Sequence, residues 1–175
     1  MNRRLVASLL GRLLLLDGAF LGVPLLASLI FREPLEPWIS TIALAALAGL
    51  ALVGAGSTAD RHIRPRDGFL VVGGAWVLVS LLGALPYVLT GALGVVDGLF
   101  ESVSGFTTTG ASIMTDIEAL PRGILFWRSL THWLGGMGII VLSVALLPSL
   151  GRGAYQFYRA EAPGPTAERL RPRMS

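Results

Sequence analysis

Cysteine and lysine are absent, and histidine occurs twice, as His62 and His132. Without a thiol there is no disulfide framework, no thiolate metal site and no cysteine nucleophile. Two histidines fall short of the usual zinc cluster. Charge is scarce as well. Asp, Glu, Lys and Arg make up 14% of the 175 residues, against about 25% in soluble domains. A disordered chain would need low hydrophobicity and high net charge, and this chain has the reverse. What is plentiful is apolar: 53% of residues are hydrophobic and the mean hydropathy is +0.69. Four apolar runs, each about as long as a bilayer core is thick, make this an integral membrane protein with the lipid bilayer as its first partner.

A net charge of +3 and a pI near 10.2 invite a nucleic-acid reading, but the placement of the charges argues against it. All fourteen basic residues are arginine, and most flank apolar runs. That pattern orients a membrane protein and does not build a DNA-binding face. No nucleic-acid partner is expected.

The first run, Leu5 to Phe31, is interrupted by Arg12, Asp17 and Pro24. The basic start at Arg3 and Arg4 raises a signal peptide as a rival. The run's length, Asp17 and the lack of a small-x-small cleavage site before a soluble domain argue for a span instead. The second run is Trp38 to Gly56, after Pro34 and Pro37. Its small residues suit close helix packing in lipid. The third is Gly68 to Gly91, and the fourth Gly123 to Leu150. Residues 151–175 form a polar, arginine-bearing tail.

Arginine placement sets the orientation. Arg3 and Arg4, then Arg61, Arg64 and Arg66, then Arg152, Arg159, Arg169, Arg171 and Arg173 fall on one side if each run spans once. The positive-inside rule makes that side cytoplasmic, with both termini there. The other side receives Val95 to Arg122, where Asp97, Glu101, Asp116 and Glu118 form an acidic mouth.

Within that segment, Asp97 to Phe106 reads as a helix of about ten residues, about 15 Å long. Half a bilayer is too short to span and suits a re-entrant element. It leads into Thr107-Thr108-Thr109-Gly110-Ala111-Ser112, which has no helical apolar pattern. Irregular backbone at membrane depth is tolerated only when buried in protein or lining a water-filled path. A helix C-terminus carries partial negative charge. The carbonyls and hydroxyls that follow can replace the water shell of a dehydrated cation. Gly110 is where the backbone would turn. The threonine side chains would add ligands or brace the loop. Composition alone favours a plain extracellular loop here. Helix length, acidic mouth and glycine together raise the pore reading.

The run Phe100-Glu101-Ser102-Val103-Ser104-Gly105-Phe106-Thr107-Thr108-Thr109-Gly110-Ala111-Ser112 closely resembles the first pore loop of the Trk/Ktr/HKT superfamily of potassium transporters. Asp116 to Pro121, Phe126 to Gly138 and Arg159 to Pro165 resemble the TrkH family within it. The resemblance spans most of residues 68–175, and the two earlier spans suit the extra N-terminal helix pair of that family. It implies an all-α integral membrane fold: four transmembrane helices with one re-entrant pore helix and filter loop. The helix pair would occupy 1–60, the helix–pore loop–helix repeat 61–150, and the cytoplasmic tail or linker 151–175. It also implies potassium uptake across the bacterial inner membrane through a filter of backbone carbonyls, with potassium as transported ion and no cofactor. The resemblance makes Thr108 and Thr109 the potassium-coordinating positions, with Thr107, Gly110 and Ala111 beside them. A cytoplasmic nucleotide-binding regulatory subunit of the TrkA kind is implied as a partner.

One departure matters. That family has four helix–loop–helix repeats around one pore, and this sequence has one. A quarter of a filter cannot surround an ion. The expectation is a fragment of a longer protein, whose missing repeats complete the pore, because the tail resembles an inter-repeat linker. Four copies in a homotetramer are the other solution. A non-conducting membrane interaction or assembly protein is the alternative function, although a scaffold has no need of the threonine loop.

Other residues support the pore region or are neutral. A central arginine in a span costs roughly 2.5–3.5 kcal/mol on insertion scales, so Arg128 is expected to pair with Glu101. Snorkelling to the headgroups is its rival. Gly135, Gly136 and Gly138 serve close packing ahead of a gating bend. His132 is expected to be packed or hydrogen-bonded. Asp17 is expected to pair with another helix and has no transport role. Ser104 with His132 as an intramembrane serine protease is disfavoured, because the leading glycine of a nucleophile turn is missing. No enzyme activity is expected.

Overall fold

The computed structural model describes residues 2–56 and 65–146. The tail 151–175, with its five arginines, and the arginines Arg61 and Arg64 lie outside the described residues, so the expectations placed there are untouched. The described residues form six helices: α1 (Arg3–Phe20), α2 (Gly22–Ile30), α3 (Glu36–Ala55), α4 (Pro65–Leu89), α5 (Val95–Phe106) and α6 (Arg122–Leu146).

Among the described residues, three helical stretches are long and apolar enough to cross a membrane: Arg3–Ile30, Glu36–Ala55 and Arg66–Leu89. The first combines α1 and α2, separated by a turn at Leu21. Pro24 accounts for the break. It has no N–H to donate to the Phe20 carbonyl four residues back, and its ring crowds that carbonyl. α3 opens with Pro37 in its first turn, where a missing N–H costs nothing.

α1 and α3 pack backbone to backbone. A Cβ added to Gly11 would lie 2.6 Å from the Gly49 carbonyl oxygen, and one on Gly49 would lie 2.7 Å from Leu15. These two glycines therefore set the helix spacing. The buried apolar core includes Leu14, Leu21, Trp38, Ala45, Leu82, Tyr87, Phe106, Ile124 and Trp127. Large apolar side chains also face outward, among them Leu16, Ile30, Leu47, Phe69 and Leu81. An outward apolar face of that kind suits lipid or a further protein surface better than water. Asp17 is buried, yet its Oδ2 meets no hydrogen-bond donor among the described residues. The cross-helix partner expected for it is not supplied at that oxygen.

α5 begins two residues earlier than the sequence pattern suggests, at Val95, and ends as expected at Phe106. Its 12 residues measure about 18 Å. α6 has 25 residues, about 37 Å, and carries Arg128 and His132 in its first half.

Candidate functional site

The end of α5 is built by a specific local geometry. Thr108 donates its N–H to the Gly105 carbonyl at 2.9 Å, and Thr109 donates to the Ser104 carbonyl at 3.0 Å. This crossed pair is a Schellman motif, with Thr107 as C-cap and Thr108 in the left-handed position that follows it. Thr108 has φ 57°. A β-branched residue there is a true conformational outlier. Gly110 also has positive φ, at 75°, the expected turn at that glycine.

The hydroxyls brace the loop. Thr107 Oγ1 donates to the Val103 carbonyl at 2.7 Å, and the Thr107 and Thr109 hydroxyls lie 2.8 Å apart. Ser104 Oγ donates to the Ala111 carbonyl at 2.6 Å. Among the described residues, no hydrogen bond ends on the carbonyl oxygens of Thr107, Thr108, Thr109 or Gly110. All four of these residues are exposed on the chain. A run of four uncommitted carbonyls, in a loop pinned at both ends, is an oxygen-rich surface available to a cation.

The second pin is Glu101, which is 1% exposed. Its Oε1 accepts from Ser112 Oγ at 2.6 Å and from the Ile113 N–H at 2.7 Å. Its Oε2 faces Arg128 Nε at 3.4 Å. The structure thus brings Glu101 and Arg128 together, and Glu101 ties the far end of the loop to both α5 and α6. The Ser112 and Ile113 contacts were not readable from spacing, because they exist only once the loop folds back along α5.

α6 lies tight beneath the loop. A Cβ on Gly135 would land on the Phe106 carbonyl, and one on Gly105 would land on the Thr131 hydroxyl. Gly136 is different: its nearest neighbour would be Thr108 Cγ2 at 3.8 Å. Gly135 therefore packs, Gly136 borders the loop, and Gly138 lies further along α6. Trp127 fixes α6 to α4 by donating Nε1–H to the Gly83 carbonyl at 2.9 Å. His132 Nδ1 lies 2.8 Å from the Arg128 carbonyl. A carbonyl only accepts, so Nδ1 carries the proton. Ser104 spends its hydroxyl on Ala111 and His132 contacts a carbonyl, so the two do not form a nucleophile–base pair.

One contact had no signal in the sequence. Glu33, between α2 and α3, accepts the Arg122 N–H at 2.5 Å on Oε1 and the Gly123 N–H at 2.9 Å on Oε2. The partners are 89 and 90 residues apart.

Comparison with known proteins gives a consistent result. A family model described as "TrkH: Cation transport protein" matches residues 38–171. The chain is 40% identical over 179 aligned residues to the Trk system potassium uptake protein TrkH of Halomonas elongata, covering 100% of this chain and 37% of that protein. It is 38% identical to the protein of that name from Escherichia coli strain K12, with the same coverage. Among solved structures, the potassium transporter TrkH from Vibrio parahaemolyticus superposes with a TM-score of 0.82 at 34% identity, covering 91% of this chain and 36% of that one. The chain therefore spans little more than a third of the length of these relatives.

Proposed function

Because the chain belongs to the TrkH family of cation transport proteins, we propose that it supplies one N-terminal helix pair and one helix–pore loop–helix unit of a potassium-uptake pathway across the bacterial inner membrane. In this reading 1–60 is the helix pair, 61–150 the pore repeat and 151–175 a cytoplasmic linker. α6 is the fourth span. α5 enters the bilayer from the outer side and stops halfway. Its C-terminal end and the carbonyls of 107–110 replace the hydration water of a potassium ion, with Thr108 and Thr109 closest to it and Ala111 beside them, its carbonyl held by Ser104. The side chains do not ligate. They brace the loop, as the Thr107–Thr109 and Ser104–Ala111 bonds do. Glu101, Arg128, Gly135 and Gly136 hold the loop against α6.

The observation that carries this reading is the set of carbonyls from Thr107 to Gly110 on which no hydrogen bond ends among the described residues. In lipid or in a protein interior, unpaired carbonyls cost several kcal/mol each. A conducting path supplies them with a cation. No bond is made or broken, and the ion gradient drives the movement. One loop cannot encircle an ion, so the remaining oxygen ligands come from the rest of a longer protein or from further copies. A TrkA-type cytoplasmic subunit is the regulatory partner in this scheme.

The test is growth of a potassium-uptake-deficient bacterium on low potassium. The chain is expressed alone, and also grafted in place of the matching segment of the Escherichia coli relative. Rescue by the graft, lost in the Thr109→Ala version at equal membrane abundance, supports the filter. Equal growth of the two versions would remove it. Rescue by the chain alone selects self-assembly, and rescue by the graft alone selects completion by missing repeats.

A further inference from the structure

The bonds from Glu33 to α6 point beyond the filter itself. α6 starts immediately after Pro121, which offers no side-chain cap, so its first N–H groups need an acceptor from elsewhere. Glu33 provides both oxygens to the first two of them. A carboxylate there also faces the positive end of the helix dipole. The carboxylate is itself held. Ser28 Oγ donates to Glu33 Oε2 at 3.2 Å. α2 ends in a Schellman turn, with Arg32 at φ 58° and the Glu33 N–H donating to the Ser28 carbonyl at 2.8 Å. The fit is close on the other side too, because a Cβ on Gly123 would collide with Ser28 Oγ and sit 3.0 Å from Trp38.

α6 then carries this anchor to the loop. Six residues on, Arg128 meets Glu101. Thirteen residues on, Gly135 presses on the carbonyl of Phe106, the last residue before the loop. A helix advances about 1.5 Å per residue, so a slip of one residue would separate both contacts. We propose that Glu33 is a positioning residue: through its two bonds to the start of α6, the N-terminal helix pair sets the axial register of α6 and thereby the geometry of the 107–111 loop. This rests on the proposed function, and deepens it by giving the helix pair a role in ion affinity.

The experiment uses the full chain grafted into the Escherichia coli relative, and measures KM and maximal rate of potassium uptake per molecule in the membrane. Two variants act on the same bonds from opposite sides. Glu33→Gln puts an amide donor against an N–H. Arg122→Pro removes one N–H while keeping a residue favoured at the first helical position, and so guards against a Glu33 variant that fails to fold. Both are expected to raise KM about tenfold, a part of what two charge-assisted hydrogen bonds are worth. Lower abundance with an unchanged KM would overturn the proposal. The Thr109→Ala graft separates the two readings: if it loses uptake while both clamp variants keep the parent KM, the filter stands and the clamp falls. Amide exchange in the purified chain reads the same coupling without transport. Faster exchange across 104–113 in both variants supports it, and acceleration confined to the first turn of α6 overturns it.

Discussion

Thr108 shows how much a single residue can hide. Threonine is a poor choice for a left-handed position, which costs a residue with a Cβ about 1–2 kcal/mol. Sequence pattern therefore gives no warning that it caps α5, whereas Gly110 announces its turn by its type. Gly135 is legible only in part. A glycine cluster in a membrane helix signals close packing, but which glycine is indispensable depends on what lies opposite. The Phe106 carbonyl lies opposite Gly135, whereas a Cβ on Gly136 would meet Thr108 Cγ2 at an ordinary contact distance of 3.8 Å. Gly135→Ala is thus expected to lower stability by about 1–3 kcal/mol, the usual cost of overpacking. Gly136→Ala should change it by about 0.5 kcal/mol or less, the scatter of tolerated substitutions away from tight contacts. Thermal unfolding of the two purified variants in one detergent checks this, and equal melting temperatures would contradict it.

At the level of elements, the apolar runs and the helices agree because lipid imposes one rule on every segment: backbone groups must pair within the helix. The short α5 could likewise be read, from the loss of helical pattern after Phe106. The pairing of α5 with α6 was legible because a charge in an apolar helix needs a partner. Its closure around the loop was not, since Ser112 and Ile113 reach Glu101 only in the folded chain. Glu101→Gln leaves an acceptor for those two donors but withdraws the charge from Arg128. Breaking a buried ion pair costs up to about 3–5 kcal/mol, reduced here because Arg128 is 20% exposed. The expected result is lower membrane abundance for Glu101→Gln and for Arg128→Gln, and less than additive loss in the double variant. Fully additive losses on quantitative blotting would show that the two residues act separately. The Glu33 cap on α6 belongs to this scale as well. It could not be read from the sequence, because no local periodicity links residues 89 positions apart.

For the whole molecule, the all-helical membrane class was accessible from hydropathy, which marked four apolar runs where three candidate spans stand among the described residues, and the family from the run 100–112 together with the segments 116–121, 126–138 and 159–165. What the chain does alone was not, because it covers 37% of the Halomonas elongata relative and carries one loop where an ion needs a ring of oxygens. The account therefore stands or falls on whether this loop's backbone sets ion preference when the ring is complete. The direct measurement is potassium against sodium uptake into vesicles that contain the graft, with and without Gly110→Ala, which disturbs the φ of 75° and leaves every bracing hydroxyl in place. The graft is expected to take up potassium in preference to sodium, and the Gly110→Ala version to lose most of that preference at equal protein content. An unchanged preference in the variant would contradict the carbonyl filter.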